Sequence, residues 1–289
     1  MSSRTGSLAT AVKHPGSEFS IASITSPHNP WLKRFRKALE GKETDLGYLL
    51  GLEGPKLIGE AIRSGLRVVA VLVSASGEKF LDWFQNQEKA QGTRIFRTSD
   101  RLFCSVAATE HPQGIAALVQ RRQWSLGQCL DPERGPAVIL CGLQDPGNAG
   151  TVVRSAEAFG SSGVVALPGT VSPWNPKALR ASAGAALRLP IIEGIPATEL
   201  LAELERKEIA LVVAVAHAAH GPAVPPDEID WRQPLALAVG SETGRVPEDL
   251  LLVARHFVRI PLAPPAESLN AAVAASVLLY EAARQRRCR

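Results

Sequence analysis

Ala137-Val138-Ile139-Leu140-Cys141 runs on, past Gly142-Leu143, into Gln144-Asp145-Pro146-Gly147-Asn148-Ala149-Gly150-Thr151-Val152-Val153-Arg154. The first five residues are apolar without alternation, the pattern of a short strand buried on both faces, and the second stretch is a glycine-bearing loop opening a helix. Downstream the same alternation recurs. Helices are expected over 148–159, 175–186, 200–208, 247–254 and 268–286, and strands over 163–167, 210–216, 235–239 and 258–260. Short apolar strands separated by helices predict an α/β domain with a parallel sheet covered on both sides.

Upstream of residue 137 lies a second α/β pattern. Asn29-Pro30 reads as a helix start, and Trp31, Leu32, Phe35 and Leu39 fall on one helical face opposite Lys33, Arg34, Arg36 and Lys37. Strands are expected at 48–50, 68–73, 94–96 and 114–119, with helices at 55–64 and 79–91. The implied organisation is a flexible leader over 1–19, a first domain over 20–122, a Pro/Gly-bearing linker over 123–136 and a second domain over 137–289. A chain of 289 residues suits two cores better than one.

Composition narrows the function classes. Hydrophobic residues make up 45% and charged residues 21%, ordinary for a globular protein. No run of apolar residues reaches the ~20 needed to span a membrane, and the first residues lack the apolar core of a signal peptide, so a cytoplasmic protein is expected. Cys104, Cys129, Cys141 and Cys288 have no C-x-x-C spacing, and His217 and His220 have no ligating partner nearby, so no metal site is indicated. Charge is uneven: residues 1–122 hold 17 Lys+Arg against 11 Asp+Glu, and the remainder 15 against 17. A basic first domain suits a polyanionic partner, and equally a solvated surface.

Three loops beyond strand ends are candidates for chemistry, since ligands of open α/β sheets bind at the carboxyl ends of strands. In 144–154, glycines let a ligand approach the backbone, the first N–H groups of the helix favour an anion, and Asn148 is a candidate cap. Arg154 lies farther along that helix, either in a surface ion pair or projecting over the loop. Val239-Gly240-Ser241-Glu242-Thr243-Gly244 is the second loop, with Glu242 either orienting a hydroxyl or serving the following helix. Ile260-Pro261-Leu262-Ala263-Pro264-Pro265-Ala266-Glu267-Ser268-Leu269-Asn270 is the third, with Ser268 and Asn270 both able to cap.

In this order the three loops resemble the three motifs of the SpoU (TrmH-like) family of RNA 2′-O-methyltransferases in the SPOUT superfamily. Asp145 through Gly160 matches the first motif without a gap, Gly240-Ser241-Glu242 the second, and Ile260-Pro261 with Ser268-Leu269-Asn270 the third. Asn175 to Gly184 resembles the family's Arg-x-Ser-x-Gly segment, and residues 20–120, with the His111-Pro112-Gln113-Gly114 turn, resemble its accessory substrate-binding domain. Thr243 and the run Leu262-Ala263-Pro264-Pro265 depart from the pattern, where glycine or methionine is usual.

The resemblance implies a small α/β RNA-binding domain followed by a parallel-sheet SPOUT domain with a trefoil knot, a topology that general folding rules would not suggest. It implies S-adenosylmethionine as cofactor, held by the backbone at Gly240, Ile260 and Leu269, a homodimer through the knotted domain, and an RNA substrate, ribosomal in preference to transfer RNA. It makes Arg154 the catalytic arginine, with Asn148, Glu242, Ser268 and Asn270 shaping the site. Guanidinium groups, with a pKa above about 12, are poor bases, so a role in gripping phosphate and stabilising alkoxide charge is preferred for Arg154. Lys33, Arg34, Arg36 and Lys37 would contact RNA phosphates. The competing readings are a non-catalytic RNA-binding protein of the same fold and a nucleotide-binding oxidoreductase, the latter lacking the G-x-G-x-x-G fingerprint.

Overall fold

The computed structural model describes residues 19–87, 92–216, 222–240 and 246–287. The chain divides into two compact units after Arg122. The first contains β1 (Ser20–Ile24), α1 (Pro30–Leu39), β2 (Leu49–Glu53), α2 (Pro55–Arg63), β3 (Val68–Ser74), α3 (Leu81–Gln85), β4 (Arg94–Thr98), α4 (Asp100–Cys104) and β5 (Ile115–Gln120). Its sheet runs β1-β4-β3-β5-β2: the first three strands are parallel, and β5 is antiparallel to both β3 and β2. α1 starts where the sequence places it, because the Asn29 side chain accepts the Trp31 N–H at 2.8 Å and Pro30 fills the first helical position. Leu32, Phe35, Ala38 and Leu39 bury its apolar face. A side chain at Gly51 would meet the Ala38 carbonyl carbon at 2.4 Å, so glycine lets this helix lie directly on β2.

Two local readings differ. The edge strand β1 carries Ser20 and Ser23, and its short polar sequence gives little strand signal, yet it pairs with β4 along one side of its backbone. In place of one helix over 79–91 there is a 3-10 turn over 75–80 followed by the five-residue α3. Gly77 explains the break: a Cβ there would stand 2.0 Å from the Gly114 carbonyl oxygen, a backbone approach that needs a tight turn.

The second unit comprises α5 (Leu126–Cys129), β6 (Ala137–Cys141), α6 (Pro146–Ala158), β7 (Val164–Ala166), α7 (Pro176–Ala181), β8 (Ile191–Glu193), α8 (Ala197–Arg206), β9 (Ala210–Ala214), β10 (Ala223–Val224), β11 (Leu235–Gly240), α9 (Glu248–Val253), β12 (His256–Val258) and α10 (Ala271–Arg287). Strand order is β10-β12-β9-β11-β6-β7-β8, and every pairing is parallel. All five residues of β6 are buried, as an unalternating apolar run requires of a central strand. The expected linker over 123–136 is instead partly core: Ser125 and Gln128 form a capping box, and Leu126, Cys129 and Leu130 are buried with residues of β6, β9 and α8. The helix expected over 175–186 stops after Ala181, because Ala183 and Gly184 take positive φ values of 50° and 91°.

β6, β11 and β12 all end at the same edge of this sheet, and Gly240 lies beside Cys141 in the register. The three motif loops leave from these ends. Among the described residues no helix is long and apolar enough to cross a membrane.

Candidate active site

α6 begins at Pro146 rather than at Asn148. Asp145 is its cap, its Oδ1 accepting the Asn148 N–H at 2.8 Å, with proline in the first turn. This N–H bond, aided by the Lys177 ammonium 3.6 Å away, holds the Asp145 carboxyl below its ordinary range. The glycines of the loop serve this architecture. A Cβ at Gly147 would meet Asp145 Oδ1 at 2.7 Å, and one at Gly150 would meet the Ala178 carbonyl oxygen at 2.3 Å and the Ala181 Cβ at 2.7 Å. Gly150 therefore admits α7 against α6, not a ligand, and the N-terminus of α6 already carries an anion of its own. The Asp-Pro pair at a helix start was the signal that would have moved the cap from Asn148 to Asp145.

Asn270 joins the first motif to the third. Its Oδ1 caps α10 by accepting the N–H groups of Ala272 at 2.9 Å and Val273 at 3.3 Å, while its Nδ2 donates to Asn148 Oδ1 at 3.1 Å. One side chain thus starts the last helix and ties that start to α6. Farther along, the hydroxyls of Ser155 and Ser276 lie 2.7 Å apart, and Ser276 also donates to the Ala272 carbonyl. Sequence reasoning missed this second tie, since a serine within a helix carries no distinctive pattern. α10 packs along α6 between these contacts.

Arg154 is exposed on α6, eight residues past Pro146, and makes no ion pair with a described residue. Ser268 is exposed in the irregular segment before α10, where Asn270 and not Ser268 is the cap. Ile260, Leu262 and Leu269 are half-buried along the segment after β12, and Gly240 ends β11 half-buried. An irregular segment with partly buried apolar side chains offers both apolar walls and main-chain polar groups, which fits an adenine ring needing cover on its faces and partners on its edge. Glu242 and Thr243 lie outside the described residues, as do His217, His220 and Cys288. Cys141, at the end of β6, and Cys129 are thiols pushed up to about 12 by burial, which leaves them protonated at neutral pH. Among the described residues no cluster of three or more His, Cys, Asp and Glu could hold a metal.

Residues 135–280 match the model of the SpoU rRNA methylase family, and residues 29–117 that of the MRM3-like substrate-binding domain. The chain belongs to the SpoU family of RNA 2′-O-methyltransferases. It is 32% identical to the 23S rRNA (guanosine(2553)-2′-O)-methyltransferase RlmP of Bacillus subtilis, covering 90% of this chain and 98% of that one. Among solved structures it resembles the AdoMet-bound rRNA methyltransferase of Sinorhizobium meliloti, at a TM-score of 0.78 and 25% identity over 93% of this chain and 99% of that one. It also resembles AviRb of Streptomyces viridochromogenes in complex with AdoMet, at a TM-score of 0.76 and 25% identity over 90% and 99%. S-adenosylmethionine is the cofactor of this family, and the family model covers most of the second unit, with its parallel sheet.

Of the residues expected to meet RNA, Lys33 and Lys37 are exposed. Arg34 is engaged in a two-point ion pair with Asp45, Nε to Oδ1 at 2.8 Å and Nη2 to Oδ2 at 2.6 Å. That pair holds the Asp45 carboxyl below its ordinary range. Arg36 Nε points at the Ser105 carbonyl at 3.4 Å. The arginines near the C-terminus are also engaged: Arg284 pairs with Glu281, and Arg286 donates to the Trp231 and Gln233 carbonyls at 2.9 and 3.1 Å.

Proposed function

We propose that this protein methylates a ribose 2′-oxygen of ribosomal RNA, with Arg154 as the residue that meets the substrate. The observation that carries the reading is the Asn270 to Asn148 hydrogen bond, which brings the first and third motifs together beside the strand-end loops. S-adenosylmethionine, when bound, supplies an electrophilic methyl group. The chain must then hold the ribose oxygen about 3 to 3.5 Å from that carbon and in line with the departing sulfur, an alignment able to supply several kcal/mol. The backbone at Gly240, Ile260 and Leu269 would hold the cofactor. Arg154 would grip the phosphate next to the target ribose and offset charge developing on the oxygen. Asn148, Asn270, Ser268 and Glu242 would position that grip.

Ribosomal RNA is favoured because the Bacillus subtilis relative is a 23S rRNA methyltransferase and a substrate-binding domain model covers the basic first unit. Lys33 and Lys37, with Arg34 and Arg36, would add phosphate contacts. A homodimer through the second unit is proposed on family grounds and on α10, where Val273, Val277 and Tyr280 are 48%, 39% and 54% exposed at positions that share one helical face. The trefoil knot and a cytoplasmic location complete the proposal. Its test is incubation with methyl-labelled S-adenosylmethionine and unmodified ribosomal or transfer RNA, followed by nuclease mapping. Label on one 2′-oxygen of ribosomal RNA is expected; label on transfer RNA alone moves the substrate, and cofactor binding without transfer to either makes this a binding protein.

A further inference from the structure

Arg154 makes no hydrogen bond or ion pair with a described residue, so its place depends on how α6 is seated. Ala149, Gly150, Val152, Val153 and Ala156 bury the apolar side of that helix, and apolar packing is not directional. Two polar contacts with α10 are directional. Asn148 accepts from Asn270 at 3.1 Å in the first turn of α6, and the Ser155 and Ser276 hydroxyls meet at 2.7 Å farther along. The seven residues from Asn148 to Ser155 make about two turns, so both contacts fall on one seam, ~10 Å apart. Phe159 and Tyr280 continue it, with ring centres 5.9 Å apart.

The protons of the serine pair can be assigned. Ser276 Oγ also lies 2.7 Å from the Ala272 carbonyl oxygen, which can only accept. A hydroxyl has a single proton, so Ser276 gives its own to that carbonyl and Ser155 donates to Ser276. The Ala272 N–H in turn donates to Asn270 Oδ1 at 2.9 Å. One polar circuit therefore runs from Ser155 through Ser276, Ala272 and Asn270 to Asn148, and it encloses the turn that carries Arg154. A tie at Asn148 alone would leave α6 free to pivot about it; the tie at Ser155 removes that freedom. At ~5 to 6 Å from the helix axis, a rotation of about 10° carries a side-chain tip ~1 Å. A misplacement of that size can cost about a hundredfold in rate.

We propose that Ser155 and Ser276 are positioning residues for methyl transfer, their hydroxyl bond fixing the rotation of α6 on α10 and with it the point at which Arg154 meets the substrate. The proposal rests on the RNA-methyltransferase reading, with Arg154 as its substrate-meeting residue. Neither truncation strands a fully buried polar group. Without the Ser155 hydroxyl, Ser276 keeps the Ala272 carbonyl, and without that of Ser276, Ser155 is still only half-buried. Loss of the pair should therefore be felt in rate far more than in stability.

Full-length parent, Ser155→Ala, Ser276→Ala, Ser276→Thr, Arg154→Ala and the Arg154→Ala/Ser276→Ala double variant are compared in single-turnover transfer from methyl-labelled S-adenosylmethionine to unmodified ribosomal RNA. Each serine-to-alanine variant should lose about tenfold in rate at saturating cofactor and RNA, part of what a 1 Å error can cost. Their affinities for cofactor and RNA should stay within about twofold of the parent, and Ser276→Thr, which keeps the hydroxyl, should recover most of the rate. In the Arg154→Ala background Ser276→Ala should cost nothing further, because a residue that acts through Arg154 has nothing left to position. A merely structural serine would slow both backgrounds alike, and that result overturns the pair. So does a parent-like rate in both serine-to-alanine variants, or a fall in cofactor affinity as large as the fall in rate. Each of these leaves the methyltransferase reading intact, whereas a parent protein that labels no RNA, or an Arg154→Ala variant as fast as the parent, removes that reading of the site and the pair with it.

Discussion

The two units solve the problem of displaying chemistry on an α/β scaffold differently. In the second, the residues we propose for the site lie where parallel strands end and on the helices that follow, and Asn148 and Asn270 meet across a large sequence separation. In the first, the sheet is mixed, and its arginine–aromatic contacts are local, Arg34 and Arg94 over Trp31 and, separately, Arg121 over Tyr48. The catalytic side depends on assembly, and the docking side on display. Damage should accordingly separate into losses of rate and losses of affinity.

The largest effect expected is that of Arg154→Ala. It should lower the methyl-transfer rate at least about a hundredfold, the scale of removing one charge-stabilising donor, while cofactor affinity stays close to that of the parent. Calorimetric titration beside single-turnover transfer measures both. A fall in cofactor affinity as large as the fall in rate would place Arg154 in the cofactor site and blur the division between assembly and display.

Gly150→Ala comes next. In an ordinary helix interior alanine is the better residue by up to ~1 kcal/mol. Here its Cβ would meet the Ala178 carbonyl oxygen, a backbone atom that cannot swing aside. Steric cost should win, with a net loss of about 1 to 3 kcal/mol in urea denaturation. Since α6 also carries Arg154, transfer should fall with it, and RNA affinity should hold. A stabilised variant would mean that α7 gives way more easily than its packing implies.

The smallest effect concerns pH. Asp145 has a folded-state pKa below the unfolded one, through the Asn148 N–H and then Lys177. Its contribution is therefore present above the unfolded carboxylate pKa and lost as pH falls through the lower folded value. Parent protein should be more stable than Asp145→Asn at neutral pH, and the difference should shrink as the solution is acidified below the ordinary carboxylate range. Paired urea titrations read this directly, and a gap that stays constant or widens on acidification would show that the charge of Asp145 is not what it contributes.

Sequence reading was most effective where chemistry and local pattern coincide. The strand β6, the cap and buried face of α1, and the order of the three motifs were all legible, because apolar periodicity and capping residues act over a few positions. The ties between elements were not. Ser155 and Ser276 are separated by 121 residues, and nothing around either announces the other. The glycines of the first motif were legible as special but not in purpose: near a strand end they suggested room for a ligand, and Gly150 proves to make room for a neighbouring helix. Residues 125–130 suggested a linker because Pro and Gly follow them, whereas the burial of Leu126, Cys129 and Leu130 makes them core. Arg34 looked like one of four equivalent cations until Asp45, eleven residues on, took hold of it.

α10 is fastened at both ends, by Asn270 to α6 at its start and by Gln285 and Arg286 to the backbone of Trp231 at its finish. It is also the final element of the second unit to leave the ribosome. Domains fold as they emerge, so the first unit, whose residues all precede those of the second, can form its core while the first motif still lacks its partner. A growing chain thus acquires its means of holding RNA before its means of modifying it, and competence for methyl transfer arrives with the last helix.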